Sequence, residues 1–157
     1  MDPKKRKEVV MDNVDKMLVG LLQENARYSL KQLSEKVYLS SPAVASRIAK
    51  LEETGIIAGY HAEIDPDNLG YHISAYISVA MQPKKKQSFV PFITKFPNVL
   101  ECSIVSGDNT MILKAMFPST AELETFIAEV QQFGHTQTQI VLSEPIPRRS
   151  IASTVTD

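Results

Sequence analysis

The sequence predicts an α+β chain in two parts: an N-terminal helix-turn-helix, winged-helix-like domain and a C-terminal ferredoxin-like βαββαβ domain. Three observations carry this. Apolar residues recur at helical spacing through the first third of the chain. In the second half they alternate as in strands, interrupted by two helical stretches. A run of turn residues, Asp65-Pro66-Asp67-Asn68 with Gly70, separates the two patterns. The expected layout is a basic arm (1–11), the helix-turn-helix (12–56), a strand and linker (57–70), the βαββαβ domain (71–145) and a tail (146–157).

The N-terminal elements follow in order. Val14, Met17, Leu18, Leu21 and Leu22 form one apolar helix face behind Asp12, a good N-cap. Ser29 opens a second helix, and Gln32 three residues on completes a capping box. Leu30, Leu33 and Val37 make its expected buried side. After a short break, Ser41 as N-cap and Pro42 at the first helical position restart the chain. Val44, Ile48 and Leu51 face inward, and Gly55 ends this third helix. Alternation of Tyr60, Ala62 and Ile64 against His61, Glu63 and Asp65 predicts a strand over 56–65, acting as wing or linker.

The second half begins with a long strand carrying Ile73, Ala75, Ile77, Val79 and Met81. Phe89, Phe92, Ile93 and Phe96 take helical spacing, with Pro91 expected in the first turn, where a missing N–H costs little. Leu100, Cys102 and Ile104 make a strand, residues 106–109 a turn, and Met111, Leu113, Ala115 and Phe117 the next strand. Ser119 and Glu122 predict a capping box before a helix bearing Leu123, Phe126, Ile127 and Val130. Residues 136–142 are the last strand.

Composition narrows the function. The hydrophobic fraction of 43% suits packed cores, and no apolar run approaches the roughly 20 residues of a membrane helix. The charged N-terminus lacks the apolar stretch of a signal peptide, so a cytoplasmic protein is expected. Cys102 is the only cysteine, which excludes an intrachain disulfide and a zinc site of several thiolates. His61, His72 and His135 lack metal-ligand spacing, and no nucleophile motif surrounds any Ser. No catalytic residue, metal or cofactor is expected. Residues 1–60 carry ten basic and eight acidic side chains, the remainder seven and ten, so any contact with DNA is expected in the N-terminal half.

The third helix is the expected recognition helix. Ser40, Ser41, Ala43, Ser46, Arg47 and Lys50 lie off its buried stripe, where short polar side chains and a guanidinium can approach base edges or phosphates. Lys31 and Gln32 open the preceding helix, whose free N–H groups suit a phosphate. The run Lys4, Lys5, Arg6 and Lys7 suits a phosphate-tracking arm. Lys84, Lys85 and Lys86 read as a solvated loop.

Leu39-Ser40-Ser41-Pro42 through Ser46-Arg47-Ile48 to Leu51-Glu52 resembles the recognition helix of the Lrp/AsnC (feast/famine) regulators. Gly55-Ile56-Ile57-Ala58-Gly59-Tyr60 is similar to that family's following segment, and Val105-Ser106-Gly107-Asp108 to a turn in its second domain. The resemblance covers about residues 11–145. It implies a regulator of transcription bound to double-stranded DNA, on the nucleoid when so bound. It implies homodimers built through the C-terminal domains and assembled into octamers. It further implies a small effector, commonly an amino acid, held by Gly107, Asp108, Asn109, Thr110, Thr136 and Thr138. Many members carry an Asp at the place of Thr110, so this chain lacks one candidate partner for an ammonium group. Two alternatives share the architecture: a haem-precursor (tetrapyrrole) decarboxylase, and a metabolite-binding module whose helix-turn-helix no longer grips DNA.

Overall fold

In a computed structural model of the chain, residues 10–108 and 110–146 are described. The basic run Lys4, Lys5, Arg6, Lys7 and Asn109 therefore lie outside the described residues, as does the tail beyond Ile146. The described residues divide into two compact units, one ending at Glu63 and the other spanning Ile64–Pro145.

The first unit holds α1 (Asn13–Glu24), α2 (Leu30–Val37) and α3 (Ser41–Glu53). Asp12 caps α1 by accepting from the Asp15 N–H, and Asp15 reaches back to the Asp12 N–H. Ser29 and Gln32 make the same reciprocal pair on α2. Leu18, Leu33, Val37, Val44 and Leu51 meet in a closed core, each worth about 1.5–3 kcal/mol once removed from water. Leu30 and Met17 do not join it: they are 44% and 47% exposed. Three short helices have too little interior for every residue of an apolar stripe. The cap of α3 is Ser40, one residue earlier than expected, with Ser41 first in the helix and Pro42 second. The Ser40 hydroxyl accepts from the Ala43 N–H, leaving Pro42 in the first turn, where no N–H is required.

The strand expected at 56–65 is absent; residues 58–65 carry no regular secondary structure. Alternation alone does not make a strand, and among the described residues no other strand lies in the first unit to pair with it. Tyr60 instead donates its hydroxyl to Glu52 on α3 at 2.8 Å.

The second unit has the expected order: β1 (Ile73–Met81), α4 (Lys86–Ile93), β2 (Val99–Ile104), β3 (Met111–Phe117), α5 (Thr120–Gln131) and β4 (Gly134–Ile140). The sheet is antiparallel throughout, in the order β2-β3-β1-β4. In β1, Ala75, Ile77 and Val79 oppose Ala115, Leu113 and Met111 of β3, and all six are buried. Phe89 and Ile93 of α4 and Leu123, Phe126 and Val130 of α5 close over this face. Phe96 stacks edge-on to Phe126 at 5.1 Å, although it lies beyond the end of α4. The other face, away from α4 and α5, carries Ser74, Tyr76, Ser78, Ile112, Lys114 and Met116, half-buried or exposed.

Pro91 sits inside α4 rather than in its first turn. The helix begins earlier than expected, at Lys86, directly after a 3-10 turn over Pro83–Lys85, so Lys86, read as loop, is helical. The lost N–H costs little because the helix ends two residues later and Gln87, four residues back, is exposed to water. At α5 only half of the expected capping box forms. Ser119 accepts from the Glu122 N–H, and the Glu122 carboxylate meets the Ser119 hydroxyl rather than its backbone. β4 starts at Gly134, two residues before the expected position.

Candidate nucleic-acid interface and effector site

The turn that aims α3 is built by Ser34. Its carbonyl accepts the N–H groups of Tyr38 and Leu39, the latter at 3.1 Å. This geometry requires a left-handed residue at Tyr38, with φ 55° and ψ 42°, a conformation that costs an ordinary side chain about 1–2 kcal/mol. The Ser34 hydroxyl donates to the Lys31 carbonyl at 2.7 Å and accepts from Ser41 at 3.3 Å, tying the start of α3 to α2.

Arg47 crosses from α3 to the start of α1. A single terminal nitrogen contacts Asp12 and Asp15, each at 2.7 Å. Asp15 is only 5% exposed, so the guanidinium neutralises a carboxylate that would otherwise be buried without a counter-charge. The Asp15 backbone N–H, and then Arg47, hold the Asp12 carboxyl below its usual value; hydrogen bonds to the two carboxylates push Arg47 up. Sequence spacing placed Arg47 on an outward face but showed neither partner.

The residues expected to face DNA divide accordingly. Ser40, Ser41, Gln32 and Arg47 are engaged in caps and ties within the fold. Lys31, Ser46 and Lys50 are exposed and make no side-chain hydrogen bond or ion pair among the described residues. Ala43, Ser46 and Lys50 line an open groove of about 480 Å³ beside α3, whose other wall includes Asp12 and Val10.

At the far end of the chain, the register brings the end of β1, the β2–β3 turn and the start of β4 to one edge of the sheet. Val79 pairs with both Met111 and Thr136, and Met81 with Gly134. Gly107 takes φ 108°, which a side chain rarely adopts, and Asp108 beside it is exposed. The Thr110 hydroxyl is not free: it donates to the Val79 carbonyl at 3.1 Å and accepts from the Met81 N–H at 3.3 Å. Thr136 accepts from the Gln131 amide at 3.3 Å, and Thr138 lies opposite Ile77. Gln131 was not anticipated; its signal, a polar residue at the end of an apolar helix, is too common to single out. Among the described residues, no group of three or more His, Cys, Asp or Glu is placed to hold a metal ion. No helix there is long and apolar enough to cross a membrane.

Comparison with known proteins accords with this two-part geometry. A winged helix-turn-helix DNA-binding family matches residues 11–58, and the Lrp/AsnC ligand binding domain matches residues 74–151. The regulator LrpA of Bacillus subtilis is 33% identical over 136 residues, covering 86% of this chain and all of LrpA (100%). The chain belongs to the Lrp/AsnC family. Another relative of this Lrp/AsnC protein, the B. subtilis regulator YezC, is 36% identical over 133 residues, covering 85% of this chain and 94% of its own. The solved structure of B. subtilis LrpC superposes with a TM-score of 0.85 at 28% identity, covering 89% of this chain and 100% of that one. A regulator of Neisseria meningitidis, solved as a complex with L-Met, superposes at 0.83 with 26% identity over 91% and 96% of the two chains. These relatives are HTH-type transcription regulators, and the decarboxylase alternative finds no support among them. This Lrp/AsnC chain is a DNA-binding regulator of transcription with a small-molecule-binding domain, not an enzyme.

Proposed function

We propose that this Lrp/AsnC regulator reads DNA with the outward face of α3 as a homodimer, two copies of α3 entering successive major grooves of a near-palindromic site. The observation that carries the reading is the division within α2 and α3. Ser40, Ser41 and Arg47 hold the helix in place, while Ser46, Lys50 and Lys31 stay exposed and without intramolecular partners. Ser46 reaches the groove floor; Lys31 and Lys50 hold phosphates. The arm with Lys4, Lys5, Arg6 and Lys7 adds salt-dependent affinity. The position of Val10, which lines the α3 groove, supports this. Pairing uses the sheet face bearing Tyr76, Ile112 and Met116, opposite the face that α4 and α5 cover, and dimers assemble further into octamers. The effector is an amino acid bound at the sheet edge by Gly107, Asp108, Asn109, Thr136 and Thr138, beside the Thr110 hydroxyl that ties the turn to β1. The protein works in the cytoplasm, on the nucleoid.

The test is fluorescence anisotropy on duplex DNA from upstream of its own gene, with random DNA as competitor and a panel of amino acids. L-methionine comes first, because the neisserial neighbour was solved with it. Preferential binding that falls steeply with salt and shifts with one amino acid is the expected result. Absence of binding with every amino acid present overturns the reading.

A further inference from the structure

Tyr38 combines two costs that nothing within the described fold offsets. Its backbone is left-handed, the only non-glycine residue with positive φ among the described residues. Its large ring is 91% exposed. The phenol makes no hydrogen bond, ion pair or ring contact there; the neighbouring Lys36 ammonium sits instead over Tyr28, at 5.2 Å. Glycine would satisfy the Ser34 carbonyl equally well without strain. A strained residue held rigidly by its surroundings, with an idle polar tip, points outward to function rather than inward to stability.

The position narrows the partner. Tyr38 lies two residues before Ser40, the N-cap of α3, and Leu39 between them packs against the core. When the start of a recognition helix enters a major groove, the chain just before it meets the groove's phosphate edge. Tyrosine hydroxyls are regular donors to phosphate oxygens. We infer that Tyr38 is a DNA-backbone contact, its hydroxyl donating to a phosphate beside the groove that α3 occupies. This rests on the DNA-reading assignment made above and adds a residue to it. The contact is neutral and sequence-independent, and it displaces no counterion.

Random duplex DNA suffices as the probe. The full chain and the variants Tyr38→Phe, Tyr38→Gly and Lys50→Ala are compared by anisotropy over a salt series, with thermal melting and light scattering of each. Both tyrosine variants should bind about a hundredfold more weakly, because each protomer of the bound dimer loses a hydrogen bond to a charged acceptor, about tenfold apiece. Their salt slope should match the wild type, whereas Lys50→Ala should make the slope shallower. Tyr38→Gly should melt at or above the wild-type temperature. Wild-type affinity in Tyr38→Phe overturns the proposal, even if Tyr38→Gly fails to fold. So does weaker binding that follows from a changed oligomeric mass. If Lys50→Ala weakens binding and the tyrosine variants do not, Tyr38 alone is misassigned; if the wild type binds no DNA, the DNA-reading assignment itself falls.

Discussion

Replacing Gly134 by alanine should damage the second unit more than any other single methyl group added to a glycine there. Gly134 begins β4 and pairs with Met81 at the end of β1. A Cβ built on it would fall inside the Ala80 carbonyl oxygen, 2.9 Å from the carbonyl carbon and 3.1 Å from Met81 Cα. Ordinary contact begins at 3.4 Å, and every obstacle is backbone, so no rotamer change relieves it. The two strands must separate at this end. Overpacking of this kind costs about 1–3 kcal/mol, and losing a ladder hydrogen bond adds about 0.5–1.5 kcal/mol. A unit of about 80 residues loses roughly 4–8 °C in Tm per kcal/mol, so the mid-range cost of about 3 kcal/mol predicts a fall of about 12–24 °C. Gly70→Ala is the control: it lies in the same unit, takes φ 82°, and has nothing within 4 Å of its Cβ position. It should cost only the left-handed strain, about 1–2 kcal/mol. Calorimetry of the full chains reads both. A Gly134→Ala transition within about 2 °C of wild type, or a larger loss in Gly70→Ala, refutes the argument that backbone clearance at this strand pair limits stability.

Arg47→Ala should lower the melting temperature of the first unit, since it leaves the buried Asp15 carboxylate without its guanidinium; Lys50→Ala should reduce DNA affinity with no change in melting. Equal melting of both variants would show that Arg47 is not a structural tie. The lowered Asp12 value means that its stabilising contribution is complete above 3.8, the ordinary carboxyl value, and is lost as pH falls through the lower folded value. Asp12→Asn should therefore flatten the acid limb of the stability curve, and an unchanged limb would assign acid unfolding to other groups. Tyr60 is pushed up to about 12, by burial first and by its bond to Glu52 second. The stability it lends is full below pH 10, the ordinary tyrosine value, and declines as pH rises toward that folded value. In an alkaline absorbance titration Tyr60→Phe should remove an ionisation step near pH 12, and retention of that step would place it elsewhere.

The sequence by itself determined whatever depends on residues three or four apart. Asp12, Ser29 and Ser119 cap helices because their acceptors and the N–H groups they satisfy lie within one turn. The same holds for the alternation along β1 and β3, where period two alone separates the buried from the outward residues. The order βαββαβ and the recognition helix were therefore legible, and with them the family resemblance. Tertiary structure alone decided the rest. Arg47 finds its carboxylates 32 and 35 residues away. The Thr110 hydroxyl meets β1 across 29 and 31 residues. The alternating segment at 56–65 stays irregular because the described residues of the first unit offer no strand beside it. Gly134 is required not by its own conformation but by the backbone that packs against it. In each case the deciding partner is brought close by packing, and local pattern carries no record of it.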